Sequence, residues 1–187
     1  MSTSPVSTAQ KTMTGYAWVL MLVMGAMWGI SFVFSKIAVT EVEPLTLVFI
    51  RTALAALVLH AVCRTTGVAV PTSARAWANY AVLGFFSSSL AFSLIFWAQQ
   101  YIDASLSAIL VGATPFFTAV MAGLLLADER FTTRKILGVI LGFVGVVLVI
   151  GPNHLLTLGD NIVSALELLM TDVSYGIASI WGRRFDG

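Results

Sequence analysis

The sequence predicts an all-α, polytopic membrane protein: a bundle of about six transmembrane helices. Three observations carry that prediction. Six long apolar segments follow one another, Tyr16–Ser35, Leu45–Cys63, Trp77–Ala98, Ser105–Leu126, Ile136–Ile150 and Ile162–Trp181. The chain is 58% hydrophobic and 10% charged, against about 25% charged in an ordinary soluble domain. Nearly every Lys and Arg falls on alternate connections between the segments. A helix needs about 20 apolar residues to cross a hydrocarbon core of about 30 Å. Backbone polar groups in lipid must be satisfied within their own segment, so these segments are helices.

Residues 1–15 are rich in Ser and Thr, carry only Lys11, and read as a cytoplasmic tail. The apolar run after Gly15 continues through Phe34, too long for the core of a signal peptide, and forms the first helix. The second helix carries Arg51 inside its span. The third lies between Trp77 and Trp97, rings that favour the membrane–water interface. Pro115 interrupts the fourth, Gly138, Gly142 and Gly145 mark the fifth, and Glu167 and Asp172 lie in the sixth. With the N-terminus inside, the inner connections hold Lys11, Arg64, Arg75, Arg130, Arg134, Lys135, Arg183 and Arg184, and the outer ones only Lys36. This bias predicts a multi-pass protein of the plasma (bacterial inner) membrane with a cytoplasmic N-terminus.

Composition and motifs also exclude several classes. A net charge of +1 argues against a nucleic-acid partner. Cys63 is the single cysteine, so no internal disulfide framework exists. The sequence shows no phosphate-binding Gly-x-x-x-x-Gly-Lys loop, no Gly-x-Ser-x-Gly elbow and no His-Glu-x-x-His motif. Its two histidines, His60 and His154, are expected at opposite ends of the membrane. The chain therefore reads as no enzyme, with no cofactor and no metal; its partners are the lipid bilayer and a small-molecule solute.

One stretch has an echo. Met27-Trp28-Gly29-Ile30-Ser31-Phe32-Val33-Phe34-Ser35-Lys36 aligns with Ser174-Tyr175-Gly176-Ile177-Ala178-Ser179-Ile180-Trp181-Gly182-Arg183, offset by 147 residues. Five helices along, the copy crosses the membrane in the opposite direction. Inverted repeats of this kind point to transporters that alternate access between two sides; a chance likeness of two amphiphilic helix ends is the competing reading.

Several motifs in order and spacing carry a resemblance: Trp28-Gly29-Ile30-Ser31-Phe32, Arg51-Thr52-Ala53-Leu54-Ala55-Ala56-Leu57, Ala104-Ser105-Leu106-Ser107-Ala108-Ile109-Leu110 leading to Thr114-Pro115, Asp128-Glu129-Arg130, and the Gly-rich run Gly138–Val146. Together they resemble the EamA-type transporters of the drug/metabolite transporter superfamily. The resemblance implies a fold of ten helices in two inverted five-helix repeats, and export of amino acids, metabolites or drugs. On that basis residues 16–151 form the first repeat, and 152–187 an outer loop and the first helix of a truncated second repeat. The chain then acts with a missing C-terminal half or as a homodimer; a non-transporting subunit or inactive remnant is the alternative.

Candidate residues follow from polarity and depth. Trp28 lies about 18 Å into the first helix at 1.5 Å per residue, beside Gly29 and Ser31, where an aromatic face next to a gap can hold a solute. Arg51 either snorkels to headgroups or serves substrate. Glu167 lies at about the depth of Arg51, a candidate ion pair, and Asp172 lies deeper, a protonatable group near the midplane or a mark of a marginal helix. Ser89, Ser93, Trp97 and Gln100 share one helical face and line a polar path or pack helix to helix. Pro115 removes a backbone hydrogen bond that Thr114 can replace. Tyr175 is the repeat counterpart of Trp28. Gly138, Gly142 and Gly145 predict close helix packing.

Overall fold

The computed structural model describes residues 14–125, 133–150 and 162–183. The expected tail over 1–13, the Asp128-Glu129-Arg130 motif and the connection over 151–161 lie outside the described residues. What is described is helical, without a strand among these residues.

Helix α1 spans Gly15–Ala38 and begins where the Thr14 hydroxyl accepts from the Ala17 amide, occupying one of the donors a helix start leaves free. Helix α2, Pro44–Thr66, starts on Pro44, whose fixed φ suits the first turn. It stops at Gly67, whose φ of 72° is the left-handed value that glycine tolerates best. Helix α3, Ala74–Gly84, is capped by the Ser73 hydroxyl. A π-helical segment, Phe85–Leu90, joins it to α4, Ala91–Ala98. Helix α5, Ala104–Val111, and α6, Thr114–Leu125, share one span and are separated by a turn at Gly112 and Ala113. Helix α7 covers Thr133–Ile150, and α8 covers Ile162–Gly182.

Among the described residues, five runs are long and apolar enough to cross a membrane: α1, α2, Ala74–Ala98, Ala104–Leu125 and α8. The fifth expected segment falls on α7, with 18 residues. A polytopic helical bundle in contact with lipid is therefore the architecture. Helix α8 is its centre and packs against α6, α4, α5, α3 and the π segment. Helix α1 packs on α5, and α2 packs on α4 and the π segment. The core gathers Phe32, Ile95, Phe96, Leu110, Val111 and Leu168. Large apolar side chains of α1 and α2, among them Leu22, Phe34, Phe49 and Leu57, face outward, as lipid-facing side chains do.

Two local irregularities position the site. Pro115 has no amide hydrogen, so the Val111 carbonyl lacks its usual donor four residues on. The Thr114 hydroxyl lies 2.6 Å from that carbonyl. The π segment widens the third span by one residue per turn and presents the Phe86 carbonyl to α8, where the Ser174 hydroxyl donates to it at 2.7 Å.

Candidate functional site

Two cavities meet at Trp28. The first, of about 620 Å³, lies between α1 and the α2–α4 side and is walled by Met24, Met27, Trp28, Phe92 and Phe96, with Ser31, Ser35 and Arg51 as its polar contributors. The second, of about 820 Å³, is bordered by Trp28, Gly29, Gly112, Thr114, Pro115 and Tyr175. Trp28 and Phe32 line both. Volumes of this order suit a small organic molecule. The walls are mainly apolar, so a solute there gains from burying carbon and is oriented by the few polar groups.

Arg51 is fixed from two sides. Its Nη1 donates to the Ser31 hydroxyl at 3.1 Å, and its guanidinium lies 4.1 Å from the Phe92 ring centroid. A cation over an aromatic face is held by the ring quadrupole. The ion pair expected between Arg51 and Glu167 does not form; Glu167 instead keeps a buried Oε2 without a hydrogen-bond partner. Equal depth in the membrane says nothing about lateral position, and α2 packs on α4 rather than on α8.

Trp28 and Tyr175, counterparts in the inverted echo, meet here. Their ring centroids are 6.5 Å apart at a tilt of 55°. The Tyr175 hydroxyl is buried without a partner. One helical turn before it, Asp172 is fully buried. Its Oδ1 lies 2.5 Å from the Thr114 hydroxyl and its Oδ2 has no partner. Pro115 and Gly29 border the second cavity beside these groups.

Other expected positions lie elsewhere. Ser89, Ser93 and Trp97 line neither cavity. The Ser93 hydroxyl turns back to the Ser89 carbonyl at 2.6 Å, and Ser89 and Trp97 are exposed. Their shared face is real, but it points away from the packed side of the span, where Ile95 and Phe96 are buried. Of the glycines on α7, Gly142 is closely packed: a Cβ there would overlap the Phe116 ring, whereas at Gly138 or Gly145 it would meet nothing within 4 Å among the described residues.

Gln99 is the residue that sequence reasoning missed. Gln100, on the expected polar face, is exposed, while Gln99 is fully buried. Its Nε2 donates to the Phe32 carbonyl at 3.1 Å, and its Oε1 accepts from the Ser35 hydroxyl at 2.7 Å. Lys36 Nζ donates to the Gln99 backbone carbonyl at 2.5 Å. This clamp fixes the end of α1 and thereby the wall that Trp28 and Phe32 form. The available signal was an amide directly following the apolar run that ends at Ala98, with Ser35 and Lys36 at the same end of the neighbouring span.

A bundle of apolar helices with a broken span, buried polar groups and paired cavities defines a polytopic membrane protein with cavities among its helices. The chain belongs to the EamA-like transporter family, whose model matches residues 15–151. It is 31% identical over 146 residues to an uncharacterized transporter of Archaeoglobus fulgidus, covering 78% of this chain and 49% of the relative. It is 26% identical over 171 residues to the uncharacterized transporter YyaM of Bacillus subtilis, covering 90% of this chain and 56% of the relative. The chain thus spans about half the length of the curated relatives it matches. No solved structure matches it.

Proposed function

We propose that this chain forms the substrate-handling part of a secondary transporter that exports a small organic solute, a metabolite, an amino acid or a drug. The membrane is the plasma (bacterial inner) membrane, and the N-terminus is cytoplasmic. One observation carries the reading: Trp28, the shared wall of two cavities, touches its inverted-repeat counterpart Tyr175. Positions equivalent under an axis lying in the membrane plane meet only near that axis, and transporter substrate sites lie at such repeat interfaces. Arg51 and Ser31 supply the polar end of the first cavity, and Trp28, Phe92 and Phe96 its apolar body. A solute with one polar or anionic end and an apolar body matches both. The membrane family supports a transporter over an enzyme.

The test uses the full product of the reading frame in sealed vesicles with a broad panel of labelled metabolites. The expected result is flux above that of empty vesicles, reduced at least tenfold by Trp28→Ala. Absence of flux for the whole panel overturns the reading in favour of a non-transporting membrane subunit.

A further inference from the structure

Each of the two cavities is furnished with a cation and, among the described lining residues, with no carboxylate. Arg51 lines the first and Arg183 the second, and both side chains are exposed. The oxygen-bearing side chains at the walls are hydroxyls, Ser31 and Ser35 in the first cavity and Thr114, Tyr175 and Ser179 among those of the second. The carboxyls of α8 stay outside both. Glu167 and Asp172 line neither cavity, and fully buried Asp172 is engaged with the Thr114 hydroxyl.

The two arginines lie in opposite halves of the bundle. The first cavity draws on the later part of α1, on Arg51 in the second turn of α2, and on Phe92 and Phe96 of α4. Helix α1 and the third span run the same way and α2 runs back, so these groups share one half. Helix α8 runs antiparallel to the third span: Ser174 meets Phe86, and a Cβ at Gly182 would lie 3.9 Å from Leu83 Cδ1. Arg183, one residue beyond, therefore lies toward the start of α3, in the other half. Trp28 and Phe32, which line both cavities, stand between the two cations.

Arg51 is oriented but not neutralised. Its two partners, the Ser31 hydroxyl and the Phe92 ring, carry no charge, and among the described residues no ion pair includes it. A charge held in an apolar wall without a counter-charge is costly, and an anionic solute supplies the missing compensation. The N–H groups that Ser31 does not take form a planar fork that fits a carboxylate. Ser31 accepts from Arg51, which leaves its own hydrogen for the same anion. An ammonium group finds the opposite. It needs acceptors, it meets the guanidinium, and the Ser35 hydroxyl is already bonded to Gln99 and the Phe32 carbonyl. In the second cavity the buried Tyr175 hydroxyl has no partner and is a further donor.

We propose that the substrate is an organic monoanion, a carboxylate on an aromatic or otherwise apolar body. Arg51 and Ser31 hold its charged end in one half of the membrane and Arg183 holds it in the other, with the Trp28–Phe32 wall between these two stations. Cationic and zwitterionic solutes of the same shape are rejected. This names the substrate class for the transporter reading above and rests on it.

Three labelled probes with one phenyl body and different charge test this: phenylpropionate, phenylalanine and phenylpropylamine. Binding to the full product of the reading frame in detergent is read by equilibrium dialysis, and flux in sealed phosphatidylcholine vesicles. Wild type is expected to bind phenylpropionate about tenfold or more tightly than either other probe. No preference for it overturns the proposal without any variant. Arg51→Gln is expected to abolish the preference and Arg51→Lys to keep part of it. A preference unchanged by Arg51→Gln overturns the role of Arg51; phospholipid lost from the same purified variant, counted by mass spectrometry, then identifies its ligand as a lipid phosphate. In oriented vesicles Arg51→Gln is expected to raise the half-saturating concentration on the face nearer Arg51, and Arg183→Gln on the opposite face. Equal effects on both faces overturn the two stations. Anion-selective binding without flux sinks the transporter reading and leaves the anion site; flux of the amine or zwitterion alone sinks the anion site and leaves the transporter.

Discussion

Helices α1 and α8 carry the same aromatic–Gly–Ile pattern in opposite directions, yet they do different work. In the most apolar stretch of α8, 39% of residues are buried; in that of α1 only 6% are. Where α1 has Leu20 and Gly25, the echo places Glu167 and Asp172 in α8. Helix α8 sends hydrogen bonds into its neighbours, from Ser174 to Phe86 and between Asp172 and Thr114. Helix α1 supplies an apolar wall and is tied down near one end, at Ser35 and Lys36. Repetition thus supplies the scaffold, and the departures from repetition supply the chemistry.

That contrast is sharpest where each helix is anchored. Gln99→Ala removes two side-chain hydrogen bonds to α1 and leaves a cavity, and is expected to destabilise the bundle by about 2–3 kcal/mol. Thermal unfolding in lipid–detergent mixtures measures it. Loss of less than about 0.5 kcal/mol, within the range of an ordinary surface change, shows that α1 is held by something other than the clamp.

A smaller effect separates the two equivalent glycines. A Cβ at Gly176 would come 2.7 Å from Met121 Sδ and 3.8 Å from Thr118 Cα, whereas at Gly29 it would meet nothing within 4 Å. Gly176→Leu is expected to cost about 1–3 kcal/mol through overpacking. Gly29→Ala is expected to be neutral or stabilising by up to about 1 kcal/mol, because alanine is the better helix former. Equal costs at the two sites, measured by the same unfolding assay, would break the comparison. Smallest is Ser174→Ala, expected to cost about 1 kcal/mol by removing one buried hydrogen bond; its mark is faster hydrogen exchange at amides of the π segment, with the amides of α1 unchanged.

Hydropathy made the bundle legible, because a span's length and apolarity depend on its own residues and the bilayer alone. Proline chemistry pointed correctly to Thr114 as the group that approaches the carbonyl freed by Pro115. What failed was lateral. Arg51 and Glu167 share a depth, but depth is one coordinate of three, and the guanidinium lies with Ser31 and Phe92. The distinction between Gln99 and Gln100 turned on one residue of helical phase, about 100° of rotation at 3.6 residues per turn. The π segment over Phe85–Leu90 contains neither Gly nor Pro to announce it. The partner of its Phe86 carbonyl, Ser174, lies 88 residues further along the chain.

That separation bears on how the protein is made. A ribosome delivers the third span to the membrane well before it delivers Ser174. Until α8 arrives, the Phe86 carbonyl has no such partner. Docking of α8 then brings the Ser174 hydroxyl to the Phe86 carbonyl. A contact of an early span is thus completed by a late one, so an arrested nascent chain would insert its third span without the Ser174–Phe86 hydrogen bond.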